Sequence, residues 1–189
     1  MHHSSTSTAE PGWVSEILQF WFDELGSAHW FAKSDITDAL IRKRFLGLHE
    51  RLVADDASDC GAHRPLLGAV IVLDQFSRNL FRDTPRAYAA DPIARRLARS
   101  AIAQGFDNAM TAHERLFLYL PFEHSEDRAD QALAVEMIAR LGNEGWTRDA
   151  LKHQAIIDRF GRFPHRNAIL DRQSSADEIE RLQQREDWF

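Results

Sequence analysis

Three polar stretches set among aromatic residues hold the side chains that could do chemistry. They are Asp74-Gln75-Phe76-Ser77-Arg78-Asn79-Leu80-Phe81-Arg82, Pro121-Phe122-Glu123-His124-Ser125-Glu126-Asp127, and Asp158-Arg159-Phe160-Gly161-Arg162-Phe163-Pro164-His165-Arg166-Asn167. An arginine fork matches a carboxylate or phosphate in two parallel bonds. A histidine beside a carboxylate can take and return a proton near neutral pH. If the three stretches meet, Arg78, Arg82, Arg162 and Arg166 form an anion clamp on a concave face, with Asp74, Asn79, His165 and Asn167 around it. His124 is then a candidate general acid or base, tuned by Glu123 or Glu126. The opposing explanation is an arginine–carboxylate network that ties the stretches together, because buried charges cost several kcal/mol each unless paired.

The favoured function on these residues is recognition of an anionic small molecule or an acidic peptide segment. A His124/Glu123/Glu126 enzyme acting on a similar ligand is the alternative. A third reading is a scaffold whose aromatic stripe of Trp13, Phe20 and Trp21 mates with a second copy, giving a homo-oligomer. No metal or cofactor is expected. Glu123, His124, Glu126 and Asp127 are suitable ligands by type, but they sit on a turn, and the Glu-x-x-His spacing of a di-metal bundle is absent. His49, His63, His113 and His153 occur singly and read as packed or surface histidines. Cys60 lies in a polar linker, Ser125 reads as a helix cap, and there is no glycine-rich phosphate loop.

Charge and composition narrow the partners. A net charge of −6 over 189 residues argues against nucleic acid and acidic membranes. Of 23 basic residues only Lys33, Lys43 and Lys152 are lysines, which favours fork-type pairing. No run approaches the ~18 apolar residues of a membrane span. The first dozen residues lack the basic start and apolar core of a secretory signal. With a lone cysteine, this points to the cytoplasm.

The elements that must position these residues are all helical. Residues 1–12 read as a disordered tail, and 13–189 as one domain. Trp13, Ile17, Phe20, Trp21 and Leu25 follow a helical period. Ser34 opens a long helix carrying Ile41, Phe45, Leu48 and Leu52, and Asp55 to His63 reads as a surface loop. From about Pro65 the chain is apolar all round to Leu73, as a central helix or a buried strand would be; its continuation to Arg82 without turn residues favours the helix. Asp91-Pro92 has cap character, Thr111 with Glu114 forms a capping box, and Pro121 ends or kinks the helix it sits in. Ser125 or Asp127 opens the next helix, and another runs from about Arg148 to Phe160. Gly161 stops it in the left-handed conformation while Phe163 folds back. Ser175 with Glu178 boxes in a last helix to about Glu186, leaving Trp188 and Phe189 to dock or fray. No strict alternation occurs, so the expectation is an all-α domain of eight or nine helices stacked as antiparallel hairpins, without a sheet.

The same stretches resemble a known family. Leu73 to Arg82 with Thr84-Pro85-Arg86-Ala87, Tyr119 to Asp127 with Gln131, and Arg159 to Asn167 with Ile169-Leu170 are similar to the three signatures of domain-of-unknown-function family 924. Ile17-Leu18-Gln19-Phe20-Trp21-Phe22 matches its usual opening. The resemblance implies a helical fold of the tetratricopeptide-repeat-like class in a bacterial protein, and it brings no activity with it. Ser77 stands where the family pattern has proline, which should leave that helix straighter. Asp171 stands where it has glycine, placing an acid beside the arginines.

Overall fold

The computed structural model describes residues 10–184. Most of the expected tail, and Trp188 and Phe189, lie outside them. Among the described residues there are helices and turns and no strand. Helix α1 (Gly12–Leu18) runs on as a π-helical segment, Gln19–Leu25. Helix α2 spans Asp35–Ala54, capped by Ser34, whose hydroxyl accepts from the Thr37 amide. The central rod is α3 (His63–Val70), a π-helical segment (Ile71–Phe76) and α4 (Ser77–Leu80) in unbroken succession. A short α5 (Arg86–Ala89) leads into α6 (Asp91–Ala103), then a 3-10 turn, α7 (Ala112–Glu123), α8 (Arg128–Ala139) and α9 (Glu144–Phe160). A 3-10 turn at Pro164–Arg166 precedes α10 (Ala176–Gln183).

Burial follows the sequence pattern. Every residue from Pro65 to Ser77 is buried, so the central rod is wrapped on all sides. The π continuation of α1 packs against the rod and its neighbours: Trp21 meets Phe76 at 5.4 Å and Phe117 of α7 at 5.3 Å, and Phe20 meets Phe45 of α2 at 5.0 Å between ring centroids. Gly68 lets Trp13 pack closely, since a Cβ there would stand 3.0 Å from the Trp13 ring. Helices α7, α8 and α9 pack as successive hairpins. The α7–α8 turn is pinned by Gln131, whose Nε2 donates to the carbonyls of Glu123 (2.6 Å) and Ser125 (2.7 Å). Beyond α9, Gly161 takes φ 70° and Phe163 folds into a small cluster with Ile156 and Ile157.

Several expectations need correcting. Pro121 lies inside α7, which continues to Glu123. Asp127, not Ser125, caps α8, accepting from the Ala129 and Asp130 amides. Asn143 opens α9 before Arg148, and α10 stops at Gln183. Cys60 is buried, and burial raises its thiol pKa to about 11. The π segment lies immediately before Ser77, whose hydroxyl donates back to the Leu73 carbonyl at 2.6 Å. Asp171 sits at φ 54°, the conformation glycine adopts most easily.

Candidate functional site

The π segment carries Asp74 and Gln75 inward together. Such segments carry one extra residue per turn and recur at functional sites. Asp74 is fully buried, and both of its oxygens lie 2.9 Å from His124 Nδ1 at the end of α7. Gln75 Nε2 donates to Asp74 at 2.5 Å, and Arg78 stands 3.7 Å away. Burial alone would raise the Asp74 pKa; the charges of His124 and Arg78 and the two hydrogen bonds outweigh it and hold the carboxyl below its usual range. An ionised carboxylate only accepts, so Nδ1 of His124 carries a proton toward Asp74. His124 lines two separate cavities.

The first cavity, about 290 Å3, is ringed by arginine and acid from several elements, with Arg95, Arg166, Arg172, Asp91 and Glu126 on its wall. Four of these five charges are filled. Arg172 makes two bonds to Glu126 (2.8 and 3.2 Å), whose Oε1 also accepts from the Phe163 amide at 2.9 Å. Arg95 donates to Ser125 Oγ at 2.9 Å and pairs with Asp130 at 3.3 Å. Asp91 is held by Arg78 through two bonds of 2.5 and 2.9 Å. Arg166 differs. It is buried between the rings of Tyr88 and Phe163, 4.6 and 4.5 Å from their centroids. Its contact with Asp91 is 3.9 Å, and its Nε has no hydrogen-bond partner among the described residues. Burial and the neighbouring Arg78 push its pKa down.

The second cavity, about 340 Å3, is more apolar, with Phe31, Leu116, Leu120 and Trp146 on its wall. At its inner end Glu123 Oε1 lies 3.1 Å from His153 Nδ1. Burial, helped by Asp149 and Asp74, raises Glu123 to about 8. Burial lowers His153 to about 3. Burial thus disfavours the charged form of both partners, and His153 Nδ1 also lies 2.9 Å from the Asp149 carbonyl.

The three polar stretches meet, but not as a four-arginine clamp. Asp74, Arg78, His124 and Arg166 come together. Arg82 and Asn79 turn to α2, where Asp38 receives two bonds from Arg82 and one from Asn79, each 2.8 Å. Arg162 lies in a different groove and grips Glu178 of α10 through bonds of 2.6 and 2.8 Å. Asn167 donates to Ser174 at 3.0 Å. His165 packs against Phe163 with ring centroids 5.6 Å apart, and burial lowers its pKa to about 4. Glu123 faces His153 and Glu126 faces Arg172, so neither hydrogen-bonds the His124 ring that it was expected to tune. Asp38, Tyr88, Arg95, Asp130 and Arg172 were not legible as members of this belt. Asp91 was read as a helix cap, and Ala90 occupies that position instead. Among the described residues no group of three or more histidine, cysteine or acidic side chains is arranged to hold a metal ion.

No described helix is long and apolar enough to cross a membrane. Among curated proteins none matches the chain. A solved structure of a protein of unknown function from Agrobacterium tumefaciens superposes with a TM-score of 0.86 at 37% identity, over 90% of this chain and 97% of that one. The model of a family described as bacterial protein of unknown function (DUF924) matches residues 17–186, and the chain belongs to that family.

Proposed function

We propose that this chain performs acid–base chemistry on a small anionic molecule, with His124 as the proton-transfer group and Arg166 as the anion contact. The observation that carries the reading is the Asp74–His124 pair. A buried carboxylate fixes Nδ1–H at 2.9 Å, so a proton exchanged by this ring, which lines the arginine-bearing cavity, enters or leaves at Nε2. This is how a histidine is set up to accept a proton: the carboxylate selects the tautomer and stabilises the imidazolium that forms. Gln75 and Arg78 hold Asp74 in turn, and the π segment that presents them is a departure from regular helix geometry at the site itself. Nε2 accepts the substrate's proton, and the imidazolium returns it to the product or to solvent.

The second reading is binding without turnover, favoured by Arg166 alone, whose incomplete pairing suits a ligand oxyanion whether or not chemistry follows. It predicts saturable binding that weakens with salt. The two separate in one experiment. Wild type and His124→Gln are incubated with fractionated bacterial metabolites from about pH 5 to about pH 8, and products are followed by mass spectrometry. The expected result is consumption of a carboxylate- or phosphate-bearing compound by wild type. His124→Gln should slow it about 10²–10⁴-fold, and Asp74→Asn should slow it by a similar factor through the wrong tautomer. Binding without consumption at any pH overturns the enzyme reading and leaves the binding one.

A further inference from the structure

The two cavities share one residue, His124, and differ in chemistry. One offers the incompletely paired Arg166. The other offers Phe31, Leu116, Leu120 and Trp146, with about 340 Å3 of space, within the range of small-molecule sites. Phe31 is 64% exposed while its ring stacks on Phe117 at 6.0 Å, so a large aromatic surface is held in place at the rim. At the inner end burial disfavours charge on Glu123 and His153, and Asp149 and Lys152 complete the polar part of the wall.

We propose that the ligand is an amphiphilic anion, with a compact oxyanion head at Arg166 and an apolar chain or ring in the cavity beneath Phe31, so that His124 stands where head and body join. This inference rests on the anion reading above and names the ligand class that reading leaves open. A head bound alone would use only the Arg166 pocket. A body bound alone would leave the arginine as it is. A molecule carrying both gains from each, and its atoms nearest the junction are the ones presented to the imidazole Nε2.

The test is a calorimetric titration of the full chain with two homologous series. One runs from inorganic phosphate through butyl, hexyl and octyl phosphate, and the other from acetate through hexanoate to decanoate. Affinity should rise about fourfold per added methylene until the cavity is filled. Phe31→Ala, at an exposed position that does not threaten the fold, should weaken the longest members about tenfold and leave inorganic phosphate or acetate unchanged. Arg166→Met should weaken all members of the preferred series. If the heads bind and respond to Arg166→Met but chain length has no effect, the amphiphile is wrong and the anion site stands. If the gain with chain length survives both Phe31→Ala and Trp146→Ala, the apolar body lies elsewhere and the assignment of this cavity fails. If neither series binds, the anion reading fails together with the inference built on it.

Discussion

Two parts of one polar belt treat arginine in opposite ways. On the central rod, Arg78 makes two bonds to Asp91 and a third to the Ala87 carbonyl at 2.7 Å, and Arg82 makes two to Asp38. At the corner after α9, Arg166 is more deeply buried, yet it reaches Asp91 only at 3.9 Å. The first arrangement fills the guanidinium fork with protein and explains itself as a network joining α2, α6 and the rod. The second desolvates a charge beside a like charge and compensates it mainly with aromatic faces, Tyr88 and Phe163. Buried polar groups are nearly always satisfied, so a fork left partly unfilled needs a reason outside the fold.

The largest expected effect breaks the filled side. Arg78→Met leaves Asp91 without its strongest cationic partner and takes a charge away from the buried Asp74. Stability in urea should fall by about 3–5 kcal/mol, the cost of stranding a buried charge. A loss below about 1 kcal/mol would mean that the network is dispensable, and the contrast with Arg166 would disappear.

A smaller effect comes from Glu123, the acid beneath the apolar cavity. Its folded pKa, about 8, exceeds its unfolded value of 4.5, so the native state holds a proton that the unfolded state has released. That stabilisation is complete below pH 4.5 and is lost as pH rises toward 8. His153, lowered to about 3, and His49 and His165, each lowered to about 4, act in the reverse sense: their contribution is complete above 6.5 and is lost as pH falls. Stability should therefore peak near pH 6.5 and then decline by about 2 kcal/mol toward pH 8, at roughly 1.4 kcal/mol per pH unit. Glu123→Gln should flatten that decline and steepen the rise between pH 4.5 and 6.5, where Glu123 opposes the histidines. Urea midpoints across the range read it directly, and a decline that persists in the variant assigns it to another group.

How much of this the sequence disclosed depends on the range of the interaction. Caps and stops act over three or four residues, and Ser34, the Thr111–Glu114 and Ser175–Glu178 boxes and Gly161 are all where local chemistry puts them. The buried rod was legible because an all-apolar run has one use in a helical protein. The ion pairs were not. Arg82 finds Asp38 across 44 residues, and Arg78 finds Asp91 across 13, beyond anything spacing can reveal. Along the π segment and its continuation, Asp74 and Arg78 stand 3.7 Å apart, while Gln75 turns to Asp74 and Asn79 to Asp38. His153 looked like an isolated packed histidine, and only the α7–α9 packing brings it to Glu123.

The smallest expected effect sharpens the comparison most. Arg166→Met keeps the length and most of the volume of the side chain between Tyr88 and Phe163, so packing is largely preserved. It removes one desolvated charge and its repulsion with Arg78, while Asp91 keeps both of its short bonds to Arg78. Replacing an imperfectly compensated buried ion with a hydrophobe is often neutral or stabilising, so the urea midpoint should move by no more than about 1 kcal/mol, and upward if at all. Set beside the loss for Arg78→Met, that result would separate an arginine kept for the fold from one kept for a ligand. A loss as large as that of Arg78 would make the corner a staple and take the anion contact out of the proposed chemistry, leaving the Asp74–His124 pair to be explained by packing alone.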